Sequence, residues 1–578
     1  MKKIIKSMLL LAAITAGMGT LASCGDDEDL TTADALFRPI INETDNIELG
    51  LDENKIPFMI IKWDNYTNAD QYTVKVEAID GSDTQEVTTS DLTCRFNNLK
   101  YDKEYYVYIS SANTATGLVS KPFSLTTITP DYPTSLTTPA TTDLIDTQAR
   151  IKWAEEVSYD ELKVYKDSND SLVCDTLLNA DINAASEIIF KGLQPKTTYR
   201  VEAYQNGSYQ GKKRFTTAAA EKYEGVVVDL RGVSGGETYI TADQLAADVA
   251  ANPDQDITYV LEGGTLYKIS GGTNIPGTTK TIRFVTGLTL KGNAIFRSGG
   301  GMGGVAGQDI NSIVFEKIDF ISDKAIAGGG YEVETNHDKG WGGRQVFNIN
   351  GYGATISNLT FKNCSMTGYR AVVRSQKDGD NITNILLEDC LINAIGDQGV
   401  LTTTNKSGDW KNVTMRNCTV NNIVLLCDFR TTTNKLTFNI ENCTFCYAPI
   451  ETTANANTPM FRLGSGNVVL NVKNTLFGPS MKTLNSEGGD IYPYEAGTAG
   501  SIFLTGTPDN FVVENSYKTN FAWTDLGAEE PKIYPLEGLG ELGISETELW
   551  NNPSKGTFNI IGKVSGVDFS KLGDARWK

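Results

Sequence analysis

Between Ser312 and Phe477 an amide or acidic residue followed by a cysteine recurs after each short apolar run. The marks are Asn363-Cys364, Asp389-Cys390, Asn417-Cys418 and Asn442-Cys443, with Asn474-Thr475 in the fifth place. Residues at the cysteine position follow one another at intervals of 26, 28, 25 and 32. A repeat of this length, with one run such as Leu359-Thr360-Phe361 or Val413-Thr414-Met415 before each mark, predicts one coil of a parallel β-helix per repeat. Coils stack at the inter-strand spacing of about 4.8 Å, so equivalent residues form ladders. Asn and Asp suit a ladder at a turn because their side chains hydrogen-bond backbone there. Cysteine is a small, readily buried group that suits a narrow interior. Disulfides are the competing reading in an oxidising compartment, but stacked parallel strands aim their Cβ vectors the same way, which suits a bridge poorly. The spacing of zinc sites is missing.

A second ladder runs through the same coils: Phe347-Asn348, Val373-Arg374, Leu401-Thr402, Phe429-Arg430 and Phe461-Arg462. Strand alternation turns the apolar member inward and its neighbour outward. The expected outward row is therefore Asn348, Arg374, Thr402, Arg430 and Arg462, with Arg370 and Asp428 on the same face. Insertions cluster beside this row. From the cysteine position to the row takes 10 residues in one coil, 12 in the next two, 19 in the last and 30 in the first. The longest insertion holds Tyr331 and Trp341, which are placed to stack on sugar rings at a groove edge. Long loops in a compact repeat carry function or are disordered. Lys377-Asp378-Gly379-Asp380 follows Arg374; Asp378 and Asp380 are two carboxylates where calcium prefers six to eight oxygens, and an ordinary turn is the favoured reading. The glycosidase arrangement needs paired carboxylates, and only Asp428, with Asp397 a coil away, is placed for it.

Upstream the period changes to two. Ile60-Ile61-Lys62-Trp63 and Tyr72-Thr73-Val74-Lys75-Val76-Glu77 read as strands, followed by the segment Leu99–Val107. The pattern then returns as Ile151-Lys152-Trp153 and the segment Leu193–Val201. Each copy has a Trp in an early strand and a late Leu-x-(Tyr/Pro)-x-x-x-Tyr corner. Both copies resemble fibronectin type III domains, and the resemblance covers about 37–218. It implies two β-sandwiches acting as spacers, with Tyr105 and Tyr199 bridging their corners through the hydroxyl. Pro130, Pro133 and Pro139 stiffen the junction. Further on, Thr241-Ala242-Asp243-Gln244 reads as a capping box opening a helix that caps the β-helix, with Leu245 and Val249 on one face.

The first residues are a targeting signal. Lys2, Lys3 and Lys6 precede the apolar stretch Met8–Ala16, too short to span a bilayer. Leu21-Ala22-Ser23-Cys24 resembles a bacterial lipobox, which implies lipidation of Cys24. Gly25-Asp26-Asp27-Glu28-Asp29 resembles the export tag of Bacteroidetes surface lipoproteins, which implies an outer-membrane anchor facing the cell surface; a solvated charged tether is the plain alternative. The formal charge of −20 disfavours nucleic acid as a partner. The single histidine, His337, argues against His-rich metal sites and a Ser-His-Asp triad.

The region from Tyr223 to Lys578 is similar to the pectate-lyase-like superfamily of right-handed parallel β-helices. Leu572-Gly573-Asp574-Ala575-Arg576-Trp577 resembles the Gly-Asp-Pro-Arg-Trp ending of Bacteroidetes surface lipoproteins of this layout, with Ala575 in place of Pro. Those proteins accompany polysaccharide utilisation loci. The expected fold is all-β: two fibronectin type III-like β-sandwiches, then a right-handed parallel β-helix. The expected division is a signal peptide at 1–23, an acidic tether at 24–36, sandwiches at 37–128 and 131–218, the β-helix at 223–525 and a closing tail at 526–578. The leading expectation is a protein that binds an acidic (uronate or sulfated) polysaccharide through Arg370, Arg374, Asp428, Arg430, Arg462, Asn348, Tyr331 and Trp341. It would act beside outer-membrane glycan transporter components and without a cofactor. The alternatives are a polysaccharide lyase, with Arg374, Lys377 or Arg430 as candidate base and calcium as a possible aid, and a structural adhesin. No lyase motif occurs at matching positions, and fold does not fix function.

Overall fold

The computed structural model describes residues 36–270, 272–298, 301–325, 331–333, 345–403, 410–430, 434–451, 459–463, 467–483, 491–493, 503–505, 509–523 and 533–578. Cys24, His337 and Trp341 lie outside them, as does the side chain of Tyr331. Among the described residues no helix is long and apolar enough to cross a membrane.

The first sandwich sets the antiparallel strands Ile47–Leu51, Pro57–Lys62 and Thr93–Phe96 against a sheet built on Gln71–Ala78 and Glu104–Asn113. Alternation places Met59, Ile61 and Trp63 opposite Tyr72, Val74, Val76 and Val107 in one core. The second sandwich repeats the plan: Gln148–Lys152 pairs with Glu187–Lys191, facing a four-stranded sheet built on Glu161–Lys166 and Thr198–Gln205. The corners form as expected, the Tyr105 hydroxyl accepting from the Lys100 amide at 3.1 Å and that of Tyr199 from the Gln194 amide at 2.8 Å. Ion pairs seal the junctions. Asp102 of the first sandwich holds Lys212 (2.7 Å) and Arg214 (3.1 Å) of the second. The nearly buried Asp146 takes both its oxygens to Arg231 at the start of the β-helix, at 3.1 and 3.0 Å.

The β-helix follows. One face is a sheet of ten parallel strands running from Val226–Asp229 to Asn510–Glu514. Its inward columns are continuous: Tyr259, Phe284, Phe315, Phe361, Leu387, Met415, Ile440, Val472 and Val513 lie in one register line. The rings of Phe284, Phe315 and Phe361 stack at 5.3 and 5.1 Å. After this sheet the five repeat coils bend at their Asn or Asp. Asn363, Asp389, Asn417, Asn442 and Asn474 all have φ between 51 and 55°, with Lys317 at 55° and Asn515 at 43° extending the column. This is the left-handed region, which Asn and Asp tolerate better than other side chains. Backbone bonding continues through the bend, as in Asn417 N to Glu441 O at 2.9 Å. The amide of Asn417 also reaches the carboxylate of Asp389, and that of Asn515 reaches Asn474 at 2.7 Å.

One residue further on, Cys364, Cys390, Cys418 and Cys443 point inward, buried and unbridged. Each thiol donates to the carbonyl two residues before it and to one in the preceding coil, as Cys418 does to Arg416 (3.2 Å) and Leu387 (3.3 Å). Burial pushes the Cys364 thiol up to about 12. At the entrance, the helix Ala242–Ala251 buries Leu245 and Val249 in the same core. Thr241 accepts the Gln244 amide, but the Gln244 side chain bonds Asp248 at 2.9 Å, so half of the expected capping box forms.

Beyond residue 540 the chain folds back on the flank of the stack. Leu549, Trp550, Phe558 and Leu572 pack with Cys446, Tyr447 and Leu476. A strap, Gly573–Trp577, then crosses the bend column one coil per residue. Gly573 N bonds Asn474 O (2.8 Å) and Asp574 N bonds Thr444 Oγ1 (3.0 Å). Ala575 N bonds Asn417 Oδ1 (2.6 Å) and Arg576 Nη2 bonds Asp389 O (2.8 Å).

The bend column yields a direct test. Asn417→Gly keeps the left-handed bend and loses the amide contacts, whereas Asn417→Ala also places a Cβ in that region at about 1–2 kcal/mol. We expect the Ala variant to be less stable than the Gly variant by about that margin in urea titrations. Equal midpoints would refute the role given to the bend.

Candidate functional site

The row expected to face outward lies on the second sheet, on the strands Gln345–Ile349, Ser365–Ser375, Leu391–Thr403, Cys427–Phe429 and Phe461–Leu463, but its member Thr402 is buried. Register places Asn348, Arg374, Thr402, Asp428 and Arg462 side by side. Asp428, not Arg430, therefore occupies the fourth place. Arg430 stands two residues on, on the same face, because a slip of two preserves strand parity.

Arg430 is nonetheless tied to the row. Its Nε and Nη2 take the two oxygens of Asp428 at 2.9 and 2.6 Å. Arg462 approaches the same carboxylate at 3.8 Å. One nearly buried aspartate thus organises two guanidinium groups. A second pair forms two coils earlier. The register shifts so that Tyr369 faces Ile395 while Ala371 faces Gly399. This bulge brings Arg370 onto Asp397 with two parallel bonds, 2.7 and 2.9 Å. Such forked geometry is the strong form of guanidinium–carboxylate recognition.

The electrostatics divide the arginines. Hydrogen bonding to Asp397 and to Asp428 holds Arg370 and Arg430 above the usual guanidinium value. Burial, with Arg370 nearby, lowers Arg374, and burial lowers Arg462 in spite of Asp428. Among the described residues of the row, four guanidinium groups (Arg370, Arg374, Arg430 and Arg462) stand beside two carboxylates, Asp397 and Asp428. These described guanidinium groups lie on a chain whose formal charge is −20.

The corner beyond Arg374 holds residues that sequence reasoning passed over. There Asn348 donates to Gln376 at 3.1 Å, and before Arg374, where Gln345 faces Ala371, Gln345 donates to Gln398 at 2.7 Å. Lys377 stands 5.3 Å from the ring centre of Tyr352. The only sequence signal for Tyr352 is its position between Gly351 and Gly353, an aromatic held at a turn. Asp380 is fully buried and accepts the amides of Lys377 (3.1 Å) and Ala354 (3.3 Å), the arrangement of an ordinary turn. Among the described residues no group of three or more His, Cys, Asp or Glu side chains is arranged to hold a metal ion.

Asp380 gives a pH test. Burial raises its carboxyl above the ordinary aspartate value. A raised group contributes stability below the unfolded pKa and loses it as pH rises through the folded value. Asp380→Asn is therefore expected to gain on the wild type as pH is raised across the carboxylate range, measured by thermal melts. Curves that stay parallel would remove the assignment.

The chain matches no protein-family model and no curated protein. Among solved structures, a two-domain fibronectin type III segment from chicken tenascin aligns at 14% identity and a TM-score of 0.15, covering 30% of this chain and 100% of that one. The FN1–FN3 domains of chicken CNTN1 align at 13% identity and a TM-score of 0.13, covering 30% of this chain and 66% of that one. The sandwich description rests on the strand pairing given above.

Proposed function

We propose that this protein is a lipid-anchored surface protein that holds an acidic polysaccharide along the outward row of its β-helix, on a stalk of two sandwiches. The observation that carries the reading is the pair of aspartate-organised arginine clusters, Arg370–Asp397 and Arg430–Asp428–Arg462, flanking Arg374 on one face. Guanidinium forks match carboxylate and sulfate groups, and a row repeated coil by coil suits a linear anionic chain. The ion-paired junctions at Asp102 and Asp146 support a stalk that presents the row at a fixed attitude. Anchoring at Cys24, an outer-membrane location and work beside glycan transporter components belong to the same proposal and rest on the N-terminal sequence.

A lyase acting on the same glycan is the second reading. Of its candidate bases, Arg430 is tied by two bonds to Asp428, which holds its proton on, whereas burial acts in the direction a base needs at Arg374. A guanidinium starts so high that much stronger tuning is needed, and Lys377 is the easier base.

Affinity gels with pectic and sulfated polysaccharides, run beside absorbance for unsaturated uronates with and without calcium, separate the readings. We expect retarded migration without new absorbance. Arg374→Ala with Arg462→Ala should weaken binding roughly 100-fold, about 3 kcal/mol for two charged hydrogen-bonding groups. New absorbance lost in Arg374→Ala or Lys377→Ala would make the protein a lyase. Neither signal on any acidic glycan would leave a structural adhesin.

A further inference from the structure

Tyr352 is the one aromatic in the described part of the β-helix whose ring stands mostly in solvent, at 66% exposure. It sits at the corner just past the strand that carries Asn348. Three glycines follow one another across the corner, coil by coil. Gly307, Gly353 and Gly379 adopt φ of 66, 73 and 82°. A Cβ on Gly307 would meet nothing, and one on Gly379 would touch only the backbone of Gly353 at 3.3 Å. The Tyr352 carbonyl is pinned by the Gly307 amide at 3.0 Å. The backbone that carries the exposed ring is therefore fixed.

Lys377 belongs to the same corner. Its backbone is held by the buried Asp380, and its ammonium lies 5.3 Å from the Tyr352 ring centre. The bond from Asn348 to Gln376, the neighbour of Lys377, joins the corner to the outward row. An aromatic ring offers its face to the apolar C–H face of a pyranose. The Lys377 ammonium lies over one face of that ring, so the pyranose would stack on the other, and it offers three rotatable donors to an anionic substituent, without the planar demand of a guanidinium. We infer that Tyr352 and Lys377 form a terminal subsite that stacks one pyranose ring and recognises the carboxylate or sulfate it carries. The inference rests on the acidic-glycan reading above and extends it, because it assigns stacking and charge recognition to two residues at one end of the row.

The test measures dissociation constants of the full chain for polygalacturonate oligosaccharides, a sulfated galactan and a neutral galactan, with melting curves to confirm folding. Tyr352→Ala should weaken binding about tenfold, and Tyr352→Phe should stay within about twofold, since stacking needs the ring and not the hydroxyl. Lys377→Gln should weaken the acidic ligands about tenfold and leave any binding of the neutral galactan unchanged. The ligand more affected by Lys377→Gln identifies the anionic group as carboxylate or sulfate. If Tyr352→Ala binds like the wild type while Arg374→Ala with Arg462→Ala has lost binding, the subsite is overturned and the row stands. If the wild type binds neither acidic ligand, both are overturned.

Discussion

The architecture depends on a left-handed bend repeated once per coil. An L-residue held at positive φ costs free energy, and Asn and Asp bear that cost best because a short polar side chain bonds locally. The column Asn363, Asp389, Asn417, Asn442 and Asn474 fixes where each coil leaves the ten-stranded sheet. Once that point is common to these coils, the residues after it fall into line. The thiols stack inside, the aromatic columns remain continuous, and the second sheet begins in register. The arginine row inherits its alignment from this bend, ten or more residues away in sequence.

The coil repeat was legible because one residue pair marks every bend, and the sandwiches because a Trp and a Tyr corner recur at matched places. The reason for the Asn and Asp column was only half legible. Turn bonding accounts for the residue type, but the positive φ common to the column becomes visible only in the backbone. Register on the second sheet was less accessible. Arg430 and Asp428 share a face, and an apolar residue precedes each, so pattern alone cannot choose between them. The pairing of Asp428 with Thr402 and Arg462 decides it. Tyr352 escaped notice because exposure at a turn leaves no periodic trace. The Arg370–Asp397 pair needed a bulge between Ile395 and Gly399 that no repeat length reveals.

The site combines two kinds of order. Asp397 and Asp428 pre-set the guanidinium planes, which on the proposed reading would lower the entropy lost when those groups engage a ligand. The same aspartates offset part of the positive charge, so the face gains orientation at the expense of raw attraction. On the proposed reading the acidic remainder of the chain would work in the same direction, because a strongly basic surface gathers any polyanion and an aspartate-tempered one discriminates more.

The strap from Gly573 to Trp577 bears on time as well as on shape. Solenoids bind nearest neighbours and can grow coil by coil as the chain is made. Here the bend column between Asp389 and Asn474 receives its last hydrogen bonds from residues about a hundred positions or more downstream. The middle coils must therefore wait, with Asn417 and Thr444 lacking these partners, until the tail folds back across them. What begins as sequential stacking is completed by a long-range closure, a step whose loop entropy makes it a late event in folding.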